Sequence, residues 1–129
     1  LKCRPDSYRM SGGVVYDIKT CQSSLPRDVA RDVNTYSYAL QAAFYLKVLR
    51  LAGYEAKRFS FVFVEKTAPY AVNVSELSDD FLQYAEREVD ATLMKIAEAS
   101  LVNRFDTGYS ERVNTLELPR WLQADDFNS

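Results

Sequence analysis

Hydrophobic and polar positions alternate in two short runs at the start of the chain, residues 1–6 and 14–21, on either side of Ser11-Gly12-Gly13. Period-2 alternation across a glycine-rich break predicts a β-hairpin. In "VVYDIKT" the alternation sets Val15, Asp17 and Lys19 on one face and Val14, Tyr16, Ile18 and Thr20 on the other. "QSSLPRD" then ends the strand and starts a helix, with Pro26 near its first turn and Asp28 as an early acid. The helical pattern runs on to Gly53, with a weak point at Asn34–Thr35 and a core stripe expected at Leu40, Phe44, Val48 and Leu51. Gly53 stands where a helix C-terminal glycine belongs. "KRFSFVFVEK" alternates Phe59, Phe61 and Phe63 with Ser60, Val62 and Val64, so it reads as a central strand covered on both faces. After the turn "TAP", "YAVNVSEL" reads as an adjoining strand. Ser78 then caps a long amphipathic helix, with Asp79 and Asp80 in the first turn and a stripe of Phe81, Ala85, Val89, Leu93 and Ile96. Residues 105–129 carry little periodicity and are expected to form an irregular tail.

The predicted order is β-β-α-β-β-α, an α/β sheet domain filling residues 1–129 as a single unit. Composition agrees, since 47% of residues are hydrophobic, as in a globular protein. No apolar run of about 18 residues occurs, so no membrane helix is expected. The opening "LKCRPDSYRM" is polar and strand-like rather than a leader, and the chain starts inside what reads as an element. The expectation is therefore a fragment of a longer domain. Cys3 and Cys21 bracket the hairpin. With only two cysteines and no leader they read as reduced thiols of a cytoplasmic protein. Two cysteines without histidine cannot build a common zinc site or hold an iron–sulfur cluster. Any metal must be held by oxygen, which points to Mg2+ or Mn2+.

Net charge is −2, but it is unevenly spread. Residues 1–66 hold 11 Lys/Arg against 6 Asp/Glu, and residues 67–129 hold 5 against 12. A polyanion is drawn to the first half, which contains the hairpin; halves this uneven also arise by chance.

Asp17 and Lys19, two apart on a strand, project from one face about 6.5 Å apart along the chain. Asp6 follows Pro5 at the end of the partner run, where a folded hairpin can set it beside Asp17. Adjacent carboxylates repel unless a cation lies between them. Mg2+ bound there makes its water more acidic, and a lysine on the same face orients that water or neutralises charge at a scissile phosphate. The same residues equally fit a solvated hairpin face with an Asp–Lys pair worth less than about 1 kcal/mol. On the next helix, Gln41 and Tyr45 stand at i and i+4, on one face beside the expected core stripe. Arg27 and Arg31, one turn apart, are candidate DNA-phosphate contacts or simply solvated. Tyr36 and Tyr38 either pack or line a DNA channel.

Pro5-Asp6, Asp17-Ile18-Lys19 and Gln41-x-x-x-Tyr45 together resemble the PD-(D/E)xK nuclease superfamily, in its branch of RecB-type and phage-type exonucleases. "CRPD", "DIKT", "QAAFY", "FVFVEKTAPYAVNV" and "TLELPRWL" are similar to the RecE-like (exodeoxyribonuclease VIII) nuclease domains and their prophage relatives, over nearly the whole chain from Cys3 to Leu122. The resemblance implies a restriction-endonuclease-like mixed sheet flanked by helices, here without the family's N-terminal helix and first strand. It implies metal ligation by Asp6, Asp17 and the Ile18 backbone carbonyl, Lys19 as the catalytic lysine, and Gln41 and Tyr45 in support. The implied reaction is Mg2+- or Mn2+-dependent hydrolysis of linear double-stranded DNA, 5′ to 3′, by a homo-oligomer that passes 3′ strands to a single-strand annealing protein in phage-type recombination. Two alternatives stay open: a non-catalytic remnant that binds DNA or assembles, and an endonuclease or repair nuclease of the same superfamily.

Overall fold

The computed structural model describes residues 1–105 and 112–122. Seven elements follow in order: β1 (Ser7–Arg9), β2 (Val14–Cys21), α1 (Pro26–Thr35), α2 (Tyr38–Leu51), β3 (Arg58–Glu65), β4 (Val72–Glu76) and α3 (Asp79–Leu101). The chain divides into two units, Leu1–Lys95 and Ile96–Ser129. The first holds a four-stranded mixed sheet of order β1-β2-β3-β4, antiparallel, parallel and antiparallel in turn. Among the described residues the second holds the end of α3 and irregular chain over 112–119. The irregular tail expected over 105–129 otherwise falls largely outside the described residues.

The first strand is shorter and later than its alternation predicts. Residues 1–5 are irregular, and pairing begins at Ser7. Pro5 has no N–H to give a ladder, so it suits the position before a strand rather than its interior. The loop Met10–Gly13 closes the hairpin, with Gly12 and Gly13 both at positive φ. Gly13 is required twice over. Its carbonyl accepts from Lys57 N and Arg58 N at 2.8 and 3.1 Å, tying the start of β2 to the start of β3. A Cβ there would stand 2.2 Å from the Glu55 carbonyl oxygen, at a φ of +61°. Gly13→Ala is therefore expected to destabilise the fold by on the order of 2 kcal/mol or more, read as a lower denaturant midpoint with an unchanged m-value.

The helical region breaks where the sequence is weak. α1 ends at Thr35, and Ser37 takes a left-handed conformation before α2. At the far end, Gly53 N donates to Arg50 O at 3.1 Å and Tyr54 N to Leu49 O at 3.0 Å, closing α2 with the expected glycine. α3 starts as read, with Phe81 N donating to Ser78 Oγ at 3.2 Å.

The core forms between one sheet face and the helices. Phe59, Phe61 and Phe63 are fully buried, their rings 5.0 and 5.9 Å apart in succession. The face of α2 toward them is Ala39, Ala42, Ala43 and Leu46, not the expected stripe. Leu40 and Leu51 are exposed, while Phe44 and Val48 are half-buried. Close-packed interiors are limited by volume. Three phenylalanine rings fill the layer, and small alanines let the helix backbone come close. Val29 and Val33 of α1 and Leu82, Ala85 and Val89 of α3 complete the same core. The α3 stripe holds through Leu93, which is half-buried, but Ile96 is exposed.

The reverse face of the sheet departs from the expectation of double cover. Register places Ile18, Val62 and Val74 in one row across three strands. Ile18 is 59% and Val74 64% exposed. Toward the start of β2 and β3, Val14 and Ser60 of the same face are buried, so the cover on this side is partial. No helix of the described residues is long and apolar enough to cross a membrane, and Cys3 and Cys21 are both free thiols.

Candidate active site

The hairpin register brings the two acids together. Pairing steps from Arg9↔Val14 through Tyr8↔Val15 to Ser7↔Tyr16. One further step sets Asp6 opposite Asp17, on the face that Val15 and Tyr8 turn toward the core. The Asp6 Oδ2 accepts the Ile18 N–H at 2.8 Å, continuing the ladder with a side chain in place of a backbone carbonyl. That N–H, ahead of a hydrogen bond with Asp17, holds the Asp6 carboxyl below the usual carboxylate range. Asp17 is shifted the other way. It is one of the few buried polar residues, 5% exposed, and burial above all pushes its carboxyl up; Lys19 opposes the rise and Asp6 adds to it.

Lys19 lies over the same face. Its Nζ stands 2.8 Å from Asp17 Oδ2 as an ion pair and donates to Gln41 Oε1 at 2.8 Å. The ammonium also sits 4.6 Å above the ring centre of Tyr38, a cation–π contact that holds it in place. Burial pushes the Tyr38 phenol up, so it stays neutral beneath the charge. The helix break makes this possible. By starting a new helix at Tyr38, the chain sets Tyr38 and Gln41, one turn apart, on the face that meets β2. Tyr38 is the residue that sequence reasoning left undecided; its place three residues before Gln41 was the available signal.

The other candidates lie apart. Tyr45 packs its ring against Phe59, centroids 6.3 Å apart, and its carbonyl accepts from the Cys3 thiol at 3.9 Å. These contacts are one turn away from the acid–lysine cluster. Arg27 and Arg31 are exposed on α1, and both pair with Asp28, at 4.0 and 3.4 Å. Arg31 lines a polar cleft of about 670 Å³ together with Thr20, Tyr36, Tyr38 and Lys66. Tyr38 thus belongs to both the lysine site and the cleft.

The donor set suits a hard divalent cation. Two carboxylates meet, and Asp17 Oδ2 is buried with no well-aligned hydrogen bond, 2.8 Å from the Lys19 ammonium. The pleat turns the Ile18 carbonyl to the same edge as its N–H, the edge where Asp6 lies. No group of three or more His, Cys, Asp or Glu gathers among the described residues. Two carboxylates and a carbonyl are what Mg2+ commonly takes from protein, with water and substrate phosphate filling its octahedron.

Residues 1–119 match the family described as a PDDEXK-like domain of unknown function (DUF3799). The chain belongs to this family. The PDDEXK-like assignment agrees with the mixed sheet flanked by helices and places the chain in the PD-(D/E)xK superfamily. Among solved structures, a protein from Eubacterium rectale described as a "putative exonuclease" superposes with a TM-score of 0.57 at 18% identity. That match covers 86% of this chain and 47% of the other, so the PDDEXK-like chain spans about half its neighbour's length. At this identity the likeness is one of fold. No curated protein matches the chain.

Proposed function

We propose that this PDDEXK-like domain is a metal-dependent deoxyribonuclease acting on linear double-stranded DNA, exonucleolytically and from the 5′ end. The observation that carries the reading is the Lys19 ammonium, fixed at 2.8 Å from both Asp17 and Gln41 beside the second acid, Asp6. Asp6, Asp17 and the Ile18 carbonyl would hold Mg2+ or Mn2+. When bound, such an ion supplies Lewis acidity toward a phosphate oxygen and a more acidic water. The chain's own residues do the rest. Asp6, anchored on the Ile18 N–H, fixes the edge of the site. Lys19, held by Gln41 and by the Tyr38 ring, orients the attacking water and offsets charge at the scissile phosphate. Arg27 and Arg31, exposed on α1, meet the DNA backbone. Tyr45 supports α2 from within the core.

Exonucleolytic action rests on the RecE-like motifs, with the name of the structural neighbour in agreement. The same resemblance supports action as a homo-oligomer that yields 3′ strands to an annealing protein. The test uses three DNAs of one sequence: a 5′-labelled linear duplex, a 3′-labelled linear duplex and a covalently closed circle. With Mg2+ or Mn2+, early release of the 5′ label and an intact circle are expected, and EDTA stops the release. Cutting of the circle would transfer the domain to the endonucleases. Duplex binding without turnover, steeply weakened by salt, would leave a DNA-binding remnant.

A further inference from the structure

The interior of the polar cleft beside the lysine has no role in the chemistry described above, although Tyr38 and Arg31 belong to both. Its rings form a stair: the Lys19 ammonium lies 4.6 Å from the Tyr38 centroid, and the Tyr36 ring lies 5.5 Å beyond with the planes only 31° apart. Tyr36 is 62% exposed, so its outer face is open. The ring is therefore within about 10 Å of the ammonium, some three stacked nucleotide steps. The cleft's charges nearly cancel: Arg31 and Lys66 face Asp28 and Asp32, and Arg31 is already 3.4 Å from Asp28. Inside the cleft these charges balance, so a phosphate gains little there, and the largely exposed Arg31 is left to meet the DNA backbone outside it. A neutral aromatic platform edged by polar groups is instead suited to a base, since every base has a face to stack. A volume of about 670 Å³ is ample for one nucleotide.

We propose that the cleft bounded by Tyr36 and Tyr38 takes a nucleobase of the strand being cut, stacked on Tyr36, within a few nucleotides of the scissile phosphate. This rests on the nuclease reading and makes Tyr36 a positioning residue, not a catalytic one. Stacking needs an unpaired base, so the cleft engages a frayed or single-stranded terminus rather than an intact base pair.

The experiment reads binding without turnover. Short duplexes with a three-nucleotide 5′ overhang, bearing 2-aminopurine at each overhang position in turn, are titrated with the protein in EDTA. At one position the fluorescence is expected to quench on binding. Tyr36→Ala should remove the quench and weaken affinity by roughly 5- to 100-fold, while Tyr36→Phe keeps both. Stacking is little screened, so the Ala-to-wild-type ratio should persist between 50 and 200 mM salt. With an abasic site at the quenched position, the wild type and Tyr36→Ala should bind alike. Equal quenching by wild type and Tyr36→Ala would overturn the inference, as would equal losses for Ala and Phe. If the wild type binds none of these DNAs, the nuclease reading falls and this inference falls with it. Binding with a Tyr36-independent quench removes this inference alone.

Discussion

Lys19→Ala is expected to lower Mg2+-dependent release of nucleotides from linear duplex by about 10²- to 10⁴-fold, with the fold retained. The lysine is fixed by three different kinds of contact: the charge of Asp17, the amide oxygen of Gln41, and the ring of Tyr38. Such anchoring restrains a long side chain that would otherwise sample many rotamers, and it places one cation beside the paired acids. Removing it takes away the charge proposed to face the phosphate. It also leaves Asp17 buried beside Asp6 without its counter-charge, which favours the protonated carboxyl over the metal-ready carboxylate. Saturating metal therefore separates the two effects. A loss that survives saturating Mn2+ is the missing lysine itself, and a loss that metal restores belongs to Asp17. Gln41→Ala keeps the ammonium but frees its position, so a smaller loss, about 10-fold, is expected. Single-turnover release from end-labelled duplex reads all three proteins. Activity of Lys19→Ala within threefold of wild type, at any metal concentration, would remove the lysine from the mechanism.

Phe61→Ala carries the largest expected effect on stability, a loss of about 3–5 kcal/mol. The ring is 1% exposed and sits between Phe59 and Phe63, with Tyr38 at 5.6 Å. Small side chains do little to refill the space, and three of the four buried residues of α2 are alanines. A domain of this size has a total stability of roughly 5–15 kcal/mol, so the variant stands near the edge of unfolding. Phe61 is also the β3 residue in register with Asp17, and its ring supports Tyr38 beneath Lys19. Activity should therefore be lost at lower denaturant and temperature than in the wild type. Equilibrium urea unfolding followed by circular dichroism measures the change. A shift below 1 kcal/mol would mean that the phenylalanine ridge is not the core's main support.

Wherever one residue and its immediate neighbours decide the conformation, the sequence was legible. Alternation in "VVYDIKT" set Asp17 and Lys19 on one face because a strand's side-chain period is 2, whatever it packs against. Gly53 and Ser78 were read correctly as cap residues, since a left-handed glycine and a hydroxyl at a helix start act locally. The first strand begins later than its alternation predicts, because alternation persists through residues that no partner strand reaches and Pro5 cannot join a ladder.

Facing surfaces, by contrast, were decided only by the tertiary structure. The α2 core stripe expected at Leu40, Phe44, Val48 and Leu51 gives way to Ala39, Ala42, Ala43 and Leu46, because three phenylalanines already take most of the volume at the sheet. The same holds for the site. Asp6, Asp17, Lys19 and Gln41 could be named from their spacing, but their meeting depends on a hairpin register, on a parallel crossover from β2 to β3, and on a helix break that aims Gln41 at the lysine. Tyr38 and Tyr36 become candidates only once that break puts one ring under an ammonium and the other beside a cleft. By itself, then, the sequence determined which residues are candidates for the chemistry and which element holds each. Which of them touch was set by packing, because contact between distant segments depends on the volumes and registers of everything between them.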